Sequence, residues 1–215
     1  MKLEGLTINF LGDSITQGVG ASSKDTVYHA VIAREAKLKE ARNYGISGTR
    51  FAYQIGESKT SPKDDVTDQK CFSRRFEDMS DDADVVVVFG GTNDFGHGDA
   101  HMGCFADRTP YTFYGACHYI FSGLVKKYLG KPIVVMTPMH RSQEVIGCKL
   151  LRDYVNVIRE VAEYYSLPVC DLYASSGIQP QVDEIKAKYM PDGLHPSDEG
   201  NAVIAHKLMR FLEQL

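Results

Sequence analysis

The sequence has no C-x-x-C pair, and its five cysteines (Cys71, Cys104, Cys117, Cys148 and Cys170) are scattered and odd in number. That argues against a disulfide framework and for reduced thiols, several of them buried as small hydrophobes. Long apolar runs are also missing. The longest, Val85 to Phe89 and Ile133 to Met136, are strand-sized, well short of the ~18 residues that suggest a membrane span. The first ten residues include Lys2 and Glu4 and are too mixed for the apolar core of a secretory signal, so a cytoplasmic location is expected. There is no basic excess: 24 Lys and Arg stand against 28 Asp and Glu, a net charge of −4. Neutralising phosphates needs a basic face, so no nucleic-acid partner is expected. Gly18-Val19-Gly20 lacks the third glycine of a dinucleotide fingerprint, and no G-x-x-x-x-G-K-[S/T] occurs, so nucleotide cofactors are not indicated. Repeats, low-complexity tracts and linkers are absent as well. The 215 residues, 43% of them hydrophobic, therefore read as one domain over 1–215 with material for a sizeable core.

What is present is an alternation of strand and helix. Leu6 to Leu11 is apolar and β-prone and breaks at Gly12. Val27 to Lys37 follows at near-helical spacing, then a short strand at Ala41 to Tyr44. Asp84 to Phe89 is an unbroken β-branched run stopped by Gly90-Gly91. Thr112 to Leu129 reads as a helix and Lys131 to Thr137 as a strand ended by Pro138. Ser142 to Tyr165 is expected to be one helix, from the stripe Leu151, Tyr154, Val155, Ile158, Val161, Ala162 and Tyr165. Leu167 to Leu172 is a short strand. Ser197 to Leu215 is a closing helix that opens on a serine cap followed by Asp198 and Glu199. Unbroken apolar strands imply a sheet covered on both faces, hence a parallel, doubly wound α/β sandwich. Ligands of such sheets sit beyond the carboxyl ends of the strands. Three glycine-bearing breaks fall there, after Leu11, Tyr44 and Phe89.

Four segments carry a joint chemical logic: Gly12-Asp13-Ser14-Ile15, Asn43-Tyr44-Gly45-Ile46-Ser47-Gly48, Gly91-Thr92-Asn93-Asp94 and Asp192-Gly193-Leu194-His195-Pro196. Singly, each is as well read as a turn. Together, they supply what acyl transfer needs. Ser14 stands at a strand-to-helix turn, but a serine hydroxyl is a weak nucleophile without an adjacent base. His195 can be that base, since a free imidazole titrates near ~6.5. Asp192, three residues upstream, can fix its tautomer, with Gly193 permitting the tight turn. An oxyanion needs donors, each worth ~10²–10³ in rate. The backbone N–H of Ser14, the backbone N–H of Gly48 and the side-chain amide of Asn93 are candidates.

On these residues the sequence resembles the SGNH (GDSL) hydrolases, whose four blocks occur here in order from about Leu6 to the C-terminal helix. Ile15 replaces the leucine of the family's older name, apolar for apolar. The resemblance implies a flavodoxin-like three-layer α/β/α sandwich with a mostly five-stranded parallel sheet. It implies Ser14 as nucleophile and oxyanion donor, Gly48 and Asn93 as the other donors, His195 as base and Asp192 as its orienter. No cofactor and no metal are implied. An α/β-hydrolase elbow, G-x-S-x-G, is absent.

Other residues are weighed less sharply. Asp13 and Asp94 adjoin the blocks and read as turn or cap residues, or as substrate contacts. The segment from Phe95 to Pro110 holds Gly96, Gly98, Gly103, His97, His101, Asp99 and Asp107. A metal held by His97, Asp99 and His101 is disfavoured, because glycines give no rigid frame. A mobile loop shaping the substrate pocket is preferred, with Phe95 and His97 as substrate-loop candidates. Its aromatics could equally be core packing. His140 and Arg141 follow a strand end and either face the site or lie solvated; Arg141 is a candidate for an anionic substrate group. The expected substrate is a small-molecule or carbohydrate ester with a short acyl group such as acetyl. A lysophospholipase or thioesterase activity, or a non-catalytic flavodoxin-like binding module, are the alternatives. Oligomeric state is not legible.

Overall fold

The structure is a computed structural model that describes residues 1–54 and 70–215. Its centre is a five-stranded, all-parallel sheet. The strands are β1 (Thr7–Gly12), β2 (Glu40–Gly45), β3 (Val85–Phe89), β4 (Ile133–Met136) and β7 (Val169–Cys170), in the order β2-β1-β3-β4-β7. Two further strands, β5 (Val145–Ile146) and β6 (Lys149–Leu150), form a separate antiparallel hairpin. Within the main sheet the second strand lies outside the first, the arrangement of a flavodoxin-like doubly wound sheet.

The alternation of β side chains builds two cores. Val86, Val88, Ile133 and Val135 face a layer formed by α5 (Phe113–Lys127) and α6 (Leu151–Tyr164). Ile8, Phe10, Val85, Val87, Phe89 and Val134 face a layer formed by α2 (Tyr28–Glu35) and α9 (Asp198–Gln214). β3 is buried on every residue, which is why it reads as Val-Val-Val-Val-Phe rather than alternating with polar residues. The three-layer expectation therefore holds. The smaller helices are α1 (Ser14–Gln17), α3 (Phe72–Arg75), α4 (Thr92–His97), α7 (Leu172–Ser175) and α8 (Asp183–Tyr189).

Two expectations are corrected. The helix expected over Ser142 to Tyr165 begins only at Leu151, because the residues before it form the β5–β6 hairpin. Its turn is Gly147-Cys148, with Gly147 at φ 58°, a left-handed residue that suits a two-residue hairpin loop and breaks a helix. The loop expected from Phe95 is helical through His97, and Phe95 is fully buried against Tyr154. Phe113 is buried too, so packing accounts for both rings.

Candidate active site

β1, β2 and β3 end side by side, with Gly12 in register with Gly45 and Phe89. Each strand then hands the chain to one of the chemical segments. Asp13 leaves β1 and caps α1, accepting from the Ile15 N–H at 3.0 Å, so Ser14 is the first residue of a sharp turn above the sheet edge. Its hydroxyl lies 3.0 Å from His195 Nε2. His195 Nδ1 lies 2.6 Å from Asp192 Oδ2. The other carboxylate oxygen of Asp192 accepts the backbone N–H groups of Leu194 and His195, at 2.8 and 2.7 Å. Gly193 makes that turn in the left-handed region, φ 78°, and a Cβ there would fall 2.1 Å from Ser142 Oγ. Partial burial opposes ionisation of Asp192, but these N–H donors and the imidazole outweigh it and hold its carboxyl below the usual range. With Nδ1–H donated to Asp192, Nε2 is the lone-pair nitrogen facing Ser14.

The candidate oxyanion donors Gly48 and Asn93 follow the ends of the neighbouring strands β2 and β3. Asn93, 5% exposed in the first turn of α4, donates one amide hydrogen to the Thr49 carbonyl at 3.0 Å. Thr49 follows Gly48, so this bond ties the Asn93 amide to the turn that carries Gly48. An amide carries two hydrogens, and the second remains for a ligand oxygen. Gly48 is left-handed, φ 76°, a conformation that turns its peptide sharply and that only glycine adopts readily.

Buried charges hold this edge together. The Arg75 guanidinium donates to Gly12 O at 2.6 Å, to Thr49 Oγ1 at 3.0 Å and to Tyr44 O, joining the ends of β1 and β2 to the Gly48 turn. Burial lowers its pKa to about 10, partly offset by the Asp13 charge. Nothing in its Phe-Ser-Arg-Arg-Phe context signals this role. On the far side of the base, Asp198 accepts from Ser22 N, Ser22 Oγ and Thr26 Oγ1, at 2.8, 2.5 and 2.7 Å. It thereby straps the 18–26 loop against His195; a Cβ on Gly20 would lie 2.9 Å from His195 Cβ. The sequence reading took Asp198 only as a helix-terminal acid.

The remaining candidates fall elsewhere. Asp94 is buried and accepts the Phe51 and Ala52 N–H groups at 2.9 and 3.0 Å, which anchors the chain after Arg50. His97 Nδ1 lies 3.1 Å from Arg50 Nη1, in a part-buried pair behind the helix. Phe95 has no surface left for a substrate. His140 is paired with Glu144 at 2.5 Å and stacked on Tyr173. Arg141 is a bridge. Its Nη1 meets Thr92 O and Oγ1, both at 3.2 Å, while the next residue's N–H donates to Gly193 O at 2.8 Å. It thus ties the Asn93 turn to the His195 turn. Among the described residues, no group of three or more His, Cys, Asp or Glu is placed to hold a metal ion. No described helix is long and apolar enough to cross a membrane.

An α/β fold with these four segments at one sheet edge is that of a hydrolase family. The chain belongs to the GDSL-like lipase/acylhydrolase family, whose model matches residues 10–203, and that membership marks it as an ester hydrolase. It is similar to a protein of Lactobacillus plantarum, with 29% identity, 98% of each chain covered and a TM-score of 0.83. It shares its fold with an acetyl xylan esterase (21% identity, 95% of this chain and 98% of that one, TM-score 0.62). It also shares it with a two-domain esterase active on acetylated mannans (20% identity, 99% of this chain and 50% of that one, TM-score 0.65). No curated protein matches the sequence.

Proposed function

We propose that this chain is a serine esterase that removes short acyl groups, acetyl foremost, from a carbohydrate or other small ester. The observation that carries the reading is the continuous chain from Ser14 Oγ to His195 Nε2, at 3.0 Å, and from His195 Nδ1 to Asp192, at 2.6 Å. Ser14 Oγ attacks the ester carbonyl as its proton passes to His195 Nε2. The carbonyl oxygen becomes an oxyanion held by the Ser14 and Gly48 N–H groups and the free hydrogen of the Asn93 amide. Collapse expels the alcohol, which takes the proton from the imidazolium. Water, deprotonated by the same imidazole, then attacks the acyl-Ser14 ester and releases the acid and the free serine. Asp192 stays ionised throughout and stabilises the imidazolium.

The short-acyl reading is supported by the sequence after Asn93, which is mixed and polar and offers no long apolar run to cover an acyl chain. Two proteins of this fold are named for acetylated polysaccharides. The unpaired thiols of Cys104, Cys117, Cys148 and Cys170 suit a reducing, cytoplasmic setting.

The test pairs labelling with a substrate series. A fluorophosphonate probe is expected to label the folded protein and not Ser14→Ala. Rates on p-nitrophenyl esters are expected to fall from acetate to the longer acyl chains. Equal labelling of Ser14→Ala would remove the nucleophile from the scheme and favour a binding module. A preference for long chains would favour a lysophospholipase or thioesterase instead.

A further inference from the structure

Outside the triad, a cleft of about 540 Å³ is walled by the loop after α4, the start of α5, the β5–β6 hairpin and the first turns of α6. Its volume is that of a ligand site. We propose that it is a subsite for neutral carbohydrate, holding the sugar residues that flank the acylated one. This rests on the esterase reading of Ser14.

Position comes first. α4 begins beside the proposed oxyanion donor Asn93 and ends at His97. Asp99, two residues beyond the end of that helix, lies on the wall of the cleft. α6 runs back from the rim, so Asp153 and Asn156 in its first turns stand on the same edge as Ser14.

Construction comes next. Two-residue strands are too short to be stable by themselves. The β5–β6 hairpin is instead pinned to the end of α4 by Lys149 Nζ, which donates to Gly98 O at 2.6 Å. The floor beneath is rigid, since Tyr154 packs on both Phe95 and Phe113. A built wall is therefore joined to the same short helix that carries Asn93.

Chemistry selects the occupant. The lining sets Asp99, Asp153, Asn156 and His101 against Tyr114, Met102 and Leu150. A sugar ring offers hydroxyl donors to carboxylates and amides and C–H faces to an aromatic or aliphatic wall. An acyl chain would strip water from the Asp153 carboxylate and the Asn156 amide and give them no hydrogen bond in return. A phosphate headgroup would meet the carboxylates of Asp99 and Asp153 with a single lysine, Lys149, to set against them.

Asp153 and Asn156 are exposed on α6, so their truncation leaves the fold intact. The experiment measures kcat/KM for partially acetylated xylo- and manno-oligosaccharides beside p-nitrophenyl acetate. Wild type is expected to prefer the acetylated oligosaccharides over acetylated monosaccharides. Asp153→Ala and Asn156→Ala should each lose about three- to tenfold on the oligosaccharides and leave p-nitrophenyl acetate hydrolysis unchanged. Calorimetric titration of Ser14→Ala with the same oligosaccharides reads the cleft without turnover, and adding either substitution should weaken binding by the same factor. No binding by Ser14→Ala, or binding that ignores both substitutions, overturns the subsite even if ester hydrolysis is normal. Failure of wild type to cleave p-nitrophenyl acetate would instead strike the esterase reading, leaving the calorimetry to decide on the cleft.

Discussion

Burial sets the behaviour of the ionisable residues around the sheet edge. Asp13 and Asp94 are fully buried, and desolvation raises each carboxyl to about 6 against the pull of the backbone N–H groups they accept. Their task is to hold turns: Asp13 fixes the N-terminus of α1 beneath Ser14, and Asp94 anchors Phe51 and Ala52. His29 is the opposite case. It packs beside Phe10 and Tyr28, its Nε2 lies 3.2 Å from Thr16 O, and burial lowers its pKa to about 4. A lowered histidine pKa means that the unfolded chain binds more protons between about 4 and about 6.5, so stability from this group is full at neutral pH and is lost as pH falls through that window. The shift corresponds to about 3 kcal/mol at most. Asp13 and Asp94 work against it, since raised carboxyl pKa values favour the folded state as pH falls from about 6. Replacing His29 isolates its share. In urea titrations at pH 7 and pH 4.5, wild type should lose more stability on acidification than His29→Leu. Parallel losses in the two proteins would refute the assignment.

At the scale of elements, α9 does more than cover the sheet. Its Asn201 is fully buried; the side-chain oxygen accepts the Tyr28 N–H at 3.0 Å, and the amide donates to Pro196 O and Ser197 O at 3.1 and 3.0 Å. One side chain thus joins the start of α2 to the residues that follow His195. Tyr28 in turn meets Thr16 of α1 at 2.9 Å, so the chain of contacts runs from the base loop to the nucleophile turn. Asn201→Ala should cost about 2 kcal/mol, because it strands the Tyr28 N–H and the Pro196 carbonyl, while Ser197 O keeps the backbone N–H of residue 201 at 2.8 Å. It should also lower kcat more than it raises KM if His195 is the base proposed above, since Asn201 holds the residues that follow it and not the substrate walls. A variant with wild-type midpoint and kcat would show that water replaces the amide without consequence. The β5–β6 hairpin teaches a different lesson. The stripe that begins at Leu151 is strong enough to be read backwards into Ser142, yet Val145-Ile146-Gly147-Cys148-Lys149-Leu150 carries its own turn signal in Gly147. That glycine closes the hairpin and keeps the helix from starting before Leu151.

On the scale of the molecule, the two ends of the chain are one construction. Ser14 follows the first strand and His195 precedes the last helix, and the terminal ammonium of Met1 donates to Leu212 O at 3.2 Å and Glu213 O at 2.7 Å. Leu208 and Leu212 complete the core formed with Ile8 and Phe10. Such a layout predicts that the catalytic geometry and the fold are lost together. With 12 tyrosines and no tryptophan, the near-ultraviolet tyrosine signal reports packing. It should share its urea midpoint with far-ultraviolet ellipticity and with p-nitrophenyl acetate hydrolysis. Separate midpoints would divide the chain into independent units.

The sequence by itself determined the class of the fold and the chemical segments. The β-branched run Val85–Phe89, stopped by Gly90-Gly91, points to a strand covered on both faces, and Gly-Asp-Ser, Gly-Thr-Asn and Asp-x-x-His are local patterns with local physics. Local pattern also carried the Asp192–His195 turn, since three residues and one glycine suffice for it. The tertiary structure alone decided what those segments meet. Arg75, the Asp198 strap and Asn201 act on partners 26 to 176 residues away. Their hydrogen bonds exist because parallel strands bring distant loops to one edge. Phe95 and Asp94 serve the structure because the packed layers bury them, and burial is a property of those layers that leaves no mark on a side chain's neighbours in sequence.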